Sequence, residues 1–504
     1  MTSMRWAAAV SLCSFALLSA ACSSTTNLPK DRLGDDAGDN TSGDDDGGFS
    51  TGGGDDGGNM PTFSVDAIAT DSPAPCSGLG CQIHACGSGK HTSISGVVYD
   101  PAGKNPLYNV VVFVPNSTPK PLPTGASCDS CSSLYSGDPL VVGLTDAAGK
   151  FTLEDVPDGD NIPLVIQIGK WRRQITIPKV TQCADNPQPM GSLKLPANHT
   201  EGDLPNIAIS TGGADTLECL LRRVGVDAAE YGPADTSPNA HIHIYAGGGR
   251  GGRGGGGVPN TSPAAPSSST ALWASQPDLM KYDIVLLSCE GAETSGMNQA
   301  ALHDYAAAGG RVFASHYHYA WFNSGPYASE NLATWSPGSN DMGNINATIV
   351  TTLAGGGPFA KGVALKDWLG NVGALTGGEL PIQAARHNAD VSAANKPSQA
   401  WILSDSASSP AGATEYFAFN TPTTAAADKQ CGRVVFSDLH VGAASNDYGG
   451  GGFGGGGTKV VPDGCGTGDL SPQEKALEFM LFDLSSCVVP DSSGPPPVPV
   501  TPVR

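Results

Sequence analysis

Three histidines, a cysteine and two carboxylates carry the chemistry this sequence could perform. His316 and His318 stand two apart in GGRVFASHYHYAWF (309–322), where an apolar run gives way to polar and aromatic residues. If the strand ahead of them continues, both imidazoles fall on one face, as alternate strand residues do. Asp438 and His440 close a later apolar run, and Cys289-Glu290 closes an earlier one. Imidazoles with a carboxylate oxygen suit zinc or iron, so His316, His318, His440 and Asp438 are the candidate metal ligands. The competing use is catalysis by His316, His440, Cys289 and Glu290, with Cys289 as a thiol nucleophile beside a base. A disulfide, to Cys219 for instance, or a buried thiol is the plainer role for Cys289. Tyr317, His318, Tyr319 and Trp321 offer aromatic faces flanked by polar groups, which suit a carbohydrate ligand and suit core packing equally. His241 and His243 also share a face, but nothing near them completes a site. No G-x-S-x-G elbow, Walker loop or H-E-x-x-H occurs.

The elements that must position these residues fill a module spanning about 203–487. Residues 206–210, 241–245, 282–288 and 311–315 read as strands. Leu217, Leu220, Leu221 and Val224 fall at helical spacing, closed by Gly225, and a second helix covers 297–308. A helix near 359–369, strands near 401–404, 416–420 and 433–437, and a closing helix follow. That last helix opens with Ser471 as N-cap, Pro472 and Glu474, a capping box. Alternating strands and helices imply a mostly parallel sheet with helices on both faces. In such sheets ligands bind at the carboxyl ends of the strands, which is where GGRVFASHYHYAWF falls. Glycine tracts at 247–257 and 449–457 interrupt the module. The first contains G-x-G-x-x-G, but no helix follows it directly, so both read as insertions. Ahead of this α/β module, residues 90–200 carry short strands at 94–100, 110–114, 164–168 and 174–177, with a turn then a strand over 145–153. Gly, Pro and Asp turns separate them, as in an antiparallel β-sandwich. Trp171-Arg172-Arg173 makes a basic aromatic patch there, fit for a partner or for a strand edge.

The remainder gives an address. A single Arg5 precedes an apolar run at 6–18, too short to span a bilayer, and Ser19-Ala20-Ala21 leads into Cys22. This resembles a bacterial lipobox, with residues 1–22 as signal peptide and Cys22 as the lipidated residue; Ser19 departs from the usual aliphatic. Residues 23–75 are an Asp/Gly-rich tether without apolar periodicity, and 488–504 are a Pro-rich tail. Net charge is −21, which argues against a nucleic-acid partner. Of thirteen cysteines, eleven remain beyond Cys13 and Cys22, and an exported chain is expected to pair most of them. Cys128 and Cys131 form a C-x-x-C, read as structural bridging. The expected location is the cell envelope, as an outer-membrane lipoprotein facing periplasm or exterior.

Two stretches resemble known families. ISGVVYDPAGKNPLYNVVVFV with TDAAGKFTLEDVP is similar to the carboxypeptidase regulatory-like domain, a transthyretin-like β-sandwich that carries no peptidase residues. YDIVLLSCEG, GGRVFASH and GRVVFSDLH resemble the class I glutamine amidotransferase-like fold, in its trehalose-utilisation-protein-like branch. That resemblance implies a flavodoxin-like doubly wound sheet and places His440 at the sheet edge of His316. It also implies a cysteine nucleophile at the elbow, yet His316 stands there and no cysteine lies between Cys289 and Cys431. Glutaminase activity is therefore not expected. The expectation is a surface lipoprotein that binds or assembles, with a carbohydrate or a surface protein as partner and no cofactor. A hydrolase or metal-dependent enzyme at His316, His318 and His440, with zinc or iron, is the alternative.

Overall fold

The computed structural model describes residues 76–128, 135–212, 214–247, 267–441, 465–466 and 468–493, with two short strands at 260–261 and 460–461. The chain separates into Met1–Asp71 and Ser72–Arg504, and every described residue belongs to the second unit. The signal peptide, Cys22, the tether, Cys131, the glycine tracts beyond Gly247 and the end of the tail lie outside the described residues.

The first module is built from two small sheets. Its strands are β1 (Ser93–Tyr99), β2 (Val111–Pro115), β3 (Pro139–Leu144), β4 (Lys150–Leu153), β5 (Gly159–Ile168), β6 (Trp171–Val180), β7 (Asp185–Pro187) and β8 (Leu193–Lys194). One sheet runs β3-β2-β5-β6, entirely antiparallel; the other joins β4 to β1 and β1 to β7 and β8. Both β7 and β8 run parallel to β1, so the second sheet is mixed rather than antiparallel. After β6 the chain crosses to the other sheet instead of turning back beside its neighbour. Alternating residues Ile94 and Val98, Val112 and Val114, Leu164 and Ile166 share one core, as a period of two requires.

The second module begins with β9 (Ile207–Ser210), α1 (Leu217–Val224), β10 (Tyr231–Pro233) and β11 (Ile242–Tyr245). Then come β12 (Asn260–Thr261), the one-turn helices α2 (Ser269–Leu272) and α3 (Gln276–Leu279), β13 (Ile284–Leu287), α4 (Gln299–Ala307) and β14 (Arg311–Ser315). The rest comprises β15 (Thr334–Trp335), β16 (Asp341–Ile349), α5 (Ala360–Asn371), β17 (Leu380–Arg386), β18 (Ala389–Asp390), β19 (Ser398–Ser404), β20 (Thr414–Thr421), β21 (Gly432–Ser437), β22 (Val460–Val461) and α6 (Pro472–Ser485). Ten strands form one sheet in the order β10-β11-β9-β13-β14-β21-β20-β19-β16-β17. From β10 to β21 neighbours are parallel; from β21 outward every pair is antiparallel. The expected parallel sheet is thus only part of the structure. No α-helix separates β19, β20 and β21, so the chain can only reverse between them.

Helix α6 begins with the expected capping box: Ser471 Oγ accepts from the Glu474 N–H, and Glu474 accepts from the Ser471 N–H. It is buried on most sides because both modules use it. Phe479 stacks on Tyr108 (5.7 Å between ring centres) and Phe482 meets the edge of Trp171 (5.9 Å). A half-buried Lys170–Asp283 ion pair (2.6 Å) and the Cys128–Cys431 disulfide also cross this seam. Trp171-Arg172-Arg173 is spent on it: Trp171 is fully buried, Arg172 pairs with Asp203 and Arg173 with Glu201. Gly225 closes α1 at φ +113°, and a Cβ there would sit 2.2 Å from the Ala102 nitrogen of the first module. Only glycine meets both demands.

Candidate functional site

Strands β13, β14 and β21 are consecutive and parallel, so the residues leaving their carboxyl ends meet. These are Cys289, His316 and His440, all buried, with one ligand atom of each lying within 4.8 Å of the others. Cys289 Sγ is 3.3 Å from His316 Nδ1, and the His316 and His440 rings meet edge to face at 4.9 Å. His316 takes φ +45°, a left-handed conformation that a side chain bearing Cβ adopts at a cost. That turn ends β14 and starts a 3-10 helix, His316–Trp321.

Hydrogen bonds fix both imidazoles. His316 Nε2–H donates to the Ser339 carbonyl (3.2 Å), leaving its Nδ1 lone pair toward Cys289. His440 Nδ1–H donates to the Ala384 carbonyl (3.1 Å), which places that ring's lone pair on Nε2. An outward N–H held by a carbonyl is how proteins orient imidazoles toward metals. Asp215, on the loop between β9 and α1, ties the three strand ends together. Its Oδ2 accepts from Ser315 Oγ–H (2.5 Å) and the Cys289 N–H (3.3 Å), and its Oδ1 from the Val441 N–H (2.8 Å). Gly212 lets this loop approach: a Cβ there would lie 2.1 Å from the Cys289 carbonyl oxygen.

Burial disfavours charge on Cys289 and on His316. Burial, then the Asp215 charge, pushes the Cys289 thiol well up. Burial, with His440 and Arg386 nearby, pushes His316 down to about 2. The pair is therefore S–H···N rather than thiolate–imidazolium, a weak nucleophile in the absence of a cation. One sulfur and two imidazole nitrogens make a donor set for zinc, copper or iron.

Several expected site residues lie elsewhere. His318 does not share a face with His316, because β14 stops at Ser315 and the chain turns helically; His318 Nδ1–H donates to Ser315 O (2.9 Å) inside the core. Asp438 accepts from the Asn388 N–H (2.7 Å), and burial raises it to about 8, so it stands as a neutral acid outside the triad. Glu290 is buried at the rim without joining the converging atoms. Tyr319 and Trp321 are buried in the aromatic core, and of the four proposed ligand contacts only Tyr317 is half-exposed. Cys219 is bonded to Cys465, not to Cys289, which is the free cysteine among the described residues. Asp215 was not singled out from the sequence, although TGGAD directly after an apolar strand is where such a brace belongs.

No family model and no curated protein matches this chain. Among solved structures it is similar to a type II cohesin–X-dockerin complex from Acetivibrio cellulolyticus, at 16% identity over 27% of this chain and 85% of that one, TM-score 0.16. The major pilin subunit BcpA of Bacillus cereus matches at 14% identity over 21% of this chain and 30% of that one, TM-score 0.13. Likeness at this level carries no weight for fold or function.

Proposed function

We propose that this chain is a lipid-anchored envelope protein whose α/β module binds a metal ion at Cys289, His316 and His440 and is not a glutaminase. The observation that carries this reading is the convergence of one thiol and two imidazoles, each ring locked by a main-chain carbonyl. Leaving aside the three-residue edge strand β10, the order β11-β9-β13-β14-β21 matches the 2-1-3-4-5 order of flavodoxin-like sheets, which supports an amidotransferase-like ancestry. The left-handed His316 occupies that fold's elbow, where amide transfer would need an activated thiol. The first module fits a carboxypeptidase regulatory-like sandwich with an accessory role. Burial of Tyr319 and Trp321 turns the reading away from a sugar-stacking surface and toward the metal. Lipidation at Cys22 supplies the membrane attachment.

Metal binding by the purified, chelator-stripped full chain tests the reading. Cobalt(II) should bind with a thiolate-to-metal charge-transfer band, and Cys289→Ser should abolish that band. His440→Ala should weaken this binding at least tenfold. Wild-type protein that shows no thiolate charge-transfer band on cobalt titration would refute it.

A further inference from the structure

We infer a second metal site, for a borderline divalent cation such as zinc, formed by His199, Glu230 and His241. The three residues come from separate segments. His199 lies on the connection between the two modules, Glu230 ends the 3-10 turn Ala228–Glu230 before β10, and His241 stands just ahead of β11. Their ligand atoms lie within 4.8 Å of one another. His199 Nδ1 is 2.7 Å from Glu230 Oε1, and His241 Nδ1 is 2.6 Å from Oε2. The two rings stack with centres 5.9 Å apart, so both nitrogens flank one carboxylate. The His199 main-chain N–H also donates to Oε1 (2.9 Å), which fixes the carboxylate between them.

Two imidazoles and one carboxylate are an established zinc donor set, the one that leaves a fourth position for water. Glu230 is fully buried, whereas the His199 side chain is 52% exposed and gives an ion a way in. Burial works to raise the Glu230 carboxyl, but hydrogen bonds from His241 and His199 outweigh it and bring it down to about 2. In the metal-free state each Nδ1 carries the proton it shares with Glu230. A divalent cation would take the place of both Nδ1 protons, each imidazole staying neutral by moving its proton to Nε2, with one centre coordinated by all three groups. Metal–ligand bonds of about 2.0–2.2 Å require each N···O pair to open by on the order of 0.5 Å. The exposed His199 ring can open its own pair by rotating, and the partly exposed His241 ring can open the other. His243, within β11, is engaged by other partners: it contacts Tyr282 Oη (2.9 Å) and the Ser237 carbonyl. The site therefore depends on two partners distant in sequence, His199 and Glu230, rather than on its neighbour.

The absence of sulfur separates this site from the thiol centre. In a Cys289→Ser/His440→Ala full-length chain stripped with chelator, cobalt(II) should still bind at one equivalent. Its d–d absorption should carry no thiolate charge-transfer band. Adding His199→Ala, at a half-exposed position, should weaken this binding at least tenfold, and so should Glu230→Gln. If the double variant misfolds, wild-type protein gives the same reading: two equivalents, of which His199→Ala removes the one without a thiolate band. The inference is overturned if sulfur-free cobalt binding is absent, or if His199→Ala leaves it unchanged. Failure of the thiol centre alone would remove only the charge-transfer band.

Discussion

Asp215→Asn is the sharpest probe of how the thiol centre is held. In the wild type the Asp215 carboxylate accepts three hydrogen bonds, from Ser315 Oγ–H and the Cys289 N–H at one oxygen and the Val441 N–H at the other. An asparagine side chain has one oxygen and one NH2. If its oxygen faces Cys289, the NH2 confronts the Val441 N–H; if it faces Val441, the NH2 confronts the Cys289 N–H. Ser315 can reverse its hydroxyl, but a main-chain N–H cannot. One charge-assisted hydrogen bond, about 1.5–3 kcal/mol, is lost, and one buried N–H is left unpaired at about 1–3 kcal/mol. With Asp215 fully buried, no water compensates, and the total is about 2.5–6 kcal/mol. Cys289 and His440 flank the disturbed amides, so their affinity for cobalt should fall about 10–100-fold, the range for groups that orient metal ligands. Urea unfolding and cobalt titration read the two effects separately. A variant within 1 kcal/mol of wild type that retains full affinity would refute the bracing role.

Two further outcomes follow from the structure. Glu478 in α6 is fully buried beside Asp100, and burial, then the Asp100 charge, raises its pKa well above the model-compound value of 4.5. Because the folded state holds this proton more tightly, the stability this group contributes is fully present below about pH 4.5 and is lost as pH climbs above it toward the folded-state pKa. Glu478→Gln should flatten that decline in urea midpoints between pH 4.5 and 7.5; an unchanged slope would rule the group out as its source. For the anchor, Cys22→Ala should move the protein from the membrane to the soluble fraction of the producing cells, and unchanged fractionation would exclude lipidation there.

Helix and strand positions around the site were legible because their signals are local. Gly225 after Leu217, Leu220, Leu221 and Val224, and Ser471-Pro472 with Glu474, mark real helix ends. The apolar runs before Cys289, His316 and Asp438 are real strands, adjacent and parallel. What the sequence hid depends on where a strand stops. Extending β14 through His318 assigned two histidines to one face, whereas a single left-handed residue, His316, sends His318 into the core. The same one-residue change turned Tyr319 and Trp321 from a surface platform into packing.

Pairings across long separations were hidden for a related reason. Cys219 could be assigned to Cys289 only by supposing that two strand-end segments face each other, but the partner is Cys465, from beyond the second glycine tract. With Cys219 committed there, Cys289 keeps its thiol and faces His316. Parallel strands explain why the thiol centre assembles at all. Each delivers a residue from just past its carboxyl end, one to three positions on, so a cysteine, a histidine on a strained turn and a second histidine converge without being near in sequence. The His199–Glu230–His241 cluster obeys the same geometry at the far side of the sheet, where β10 and β11 run in register. There Glu230 precedes one strand by a residue, His241 precedes the next by a residue, and His199 arrives from the connection between modules. One cluster gathers where parallel strands end and the other where they begin, so a sulfur-containing and a sulfur-free donor set are kept on opposite edges of one sheet.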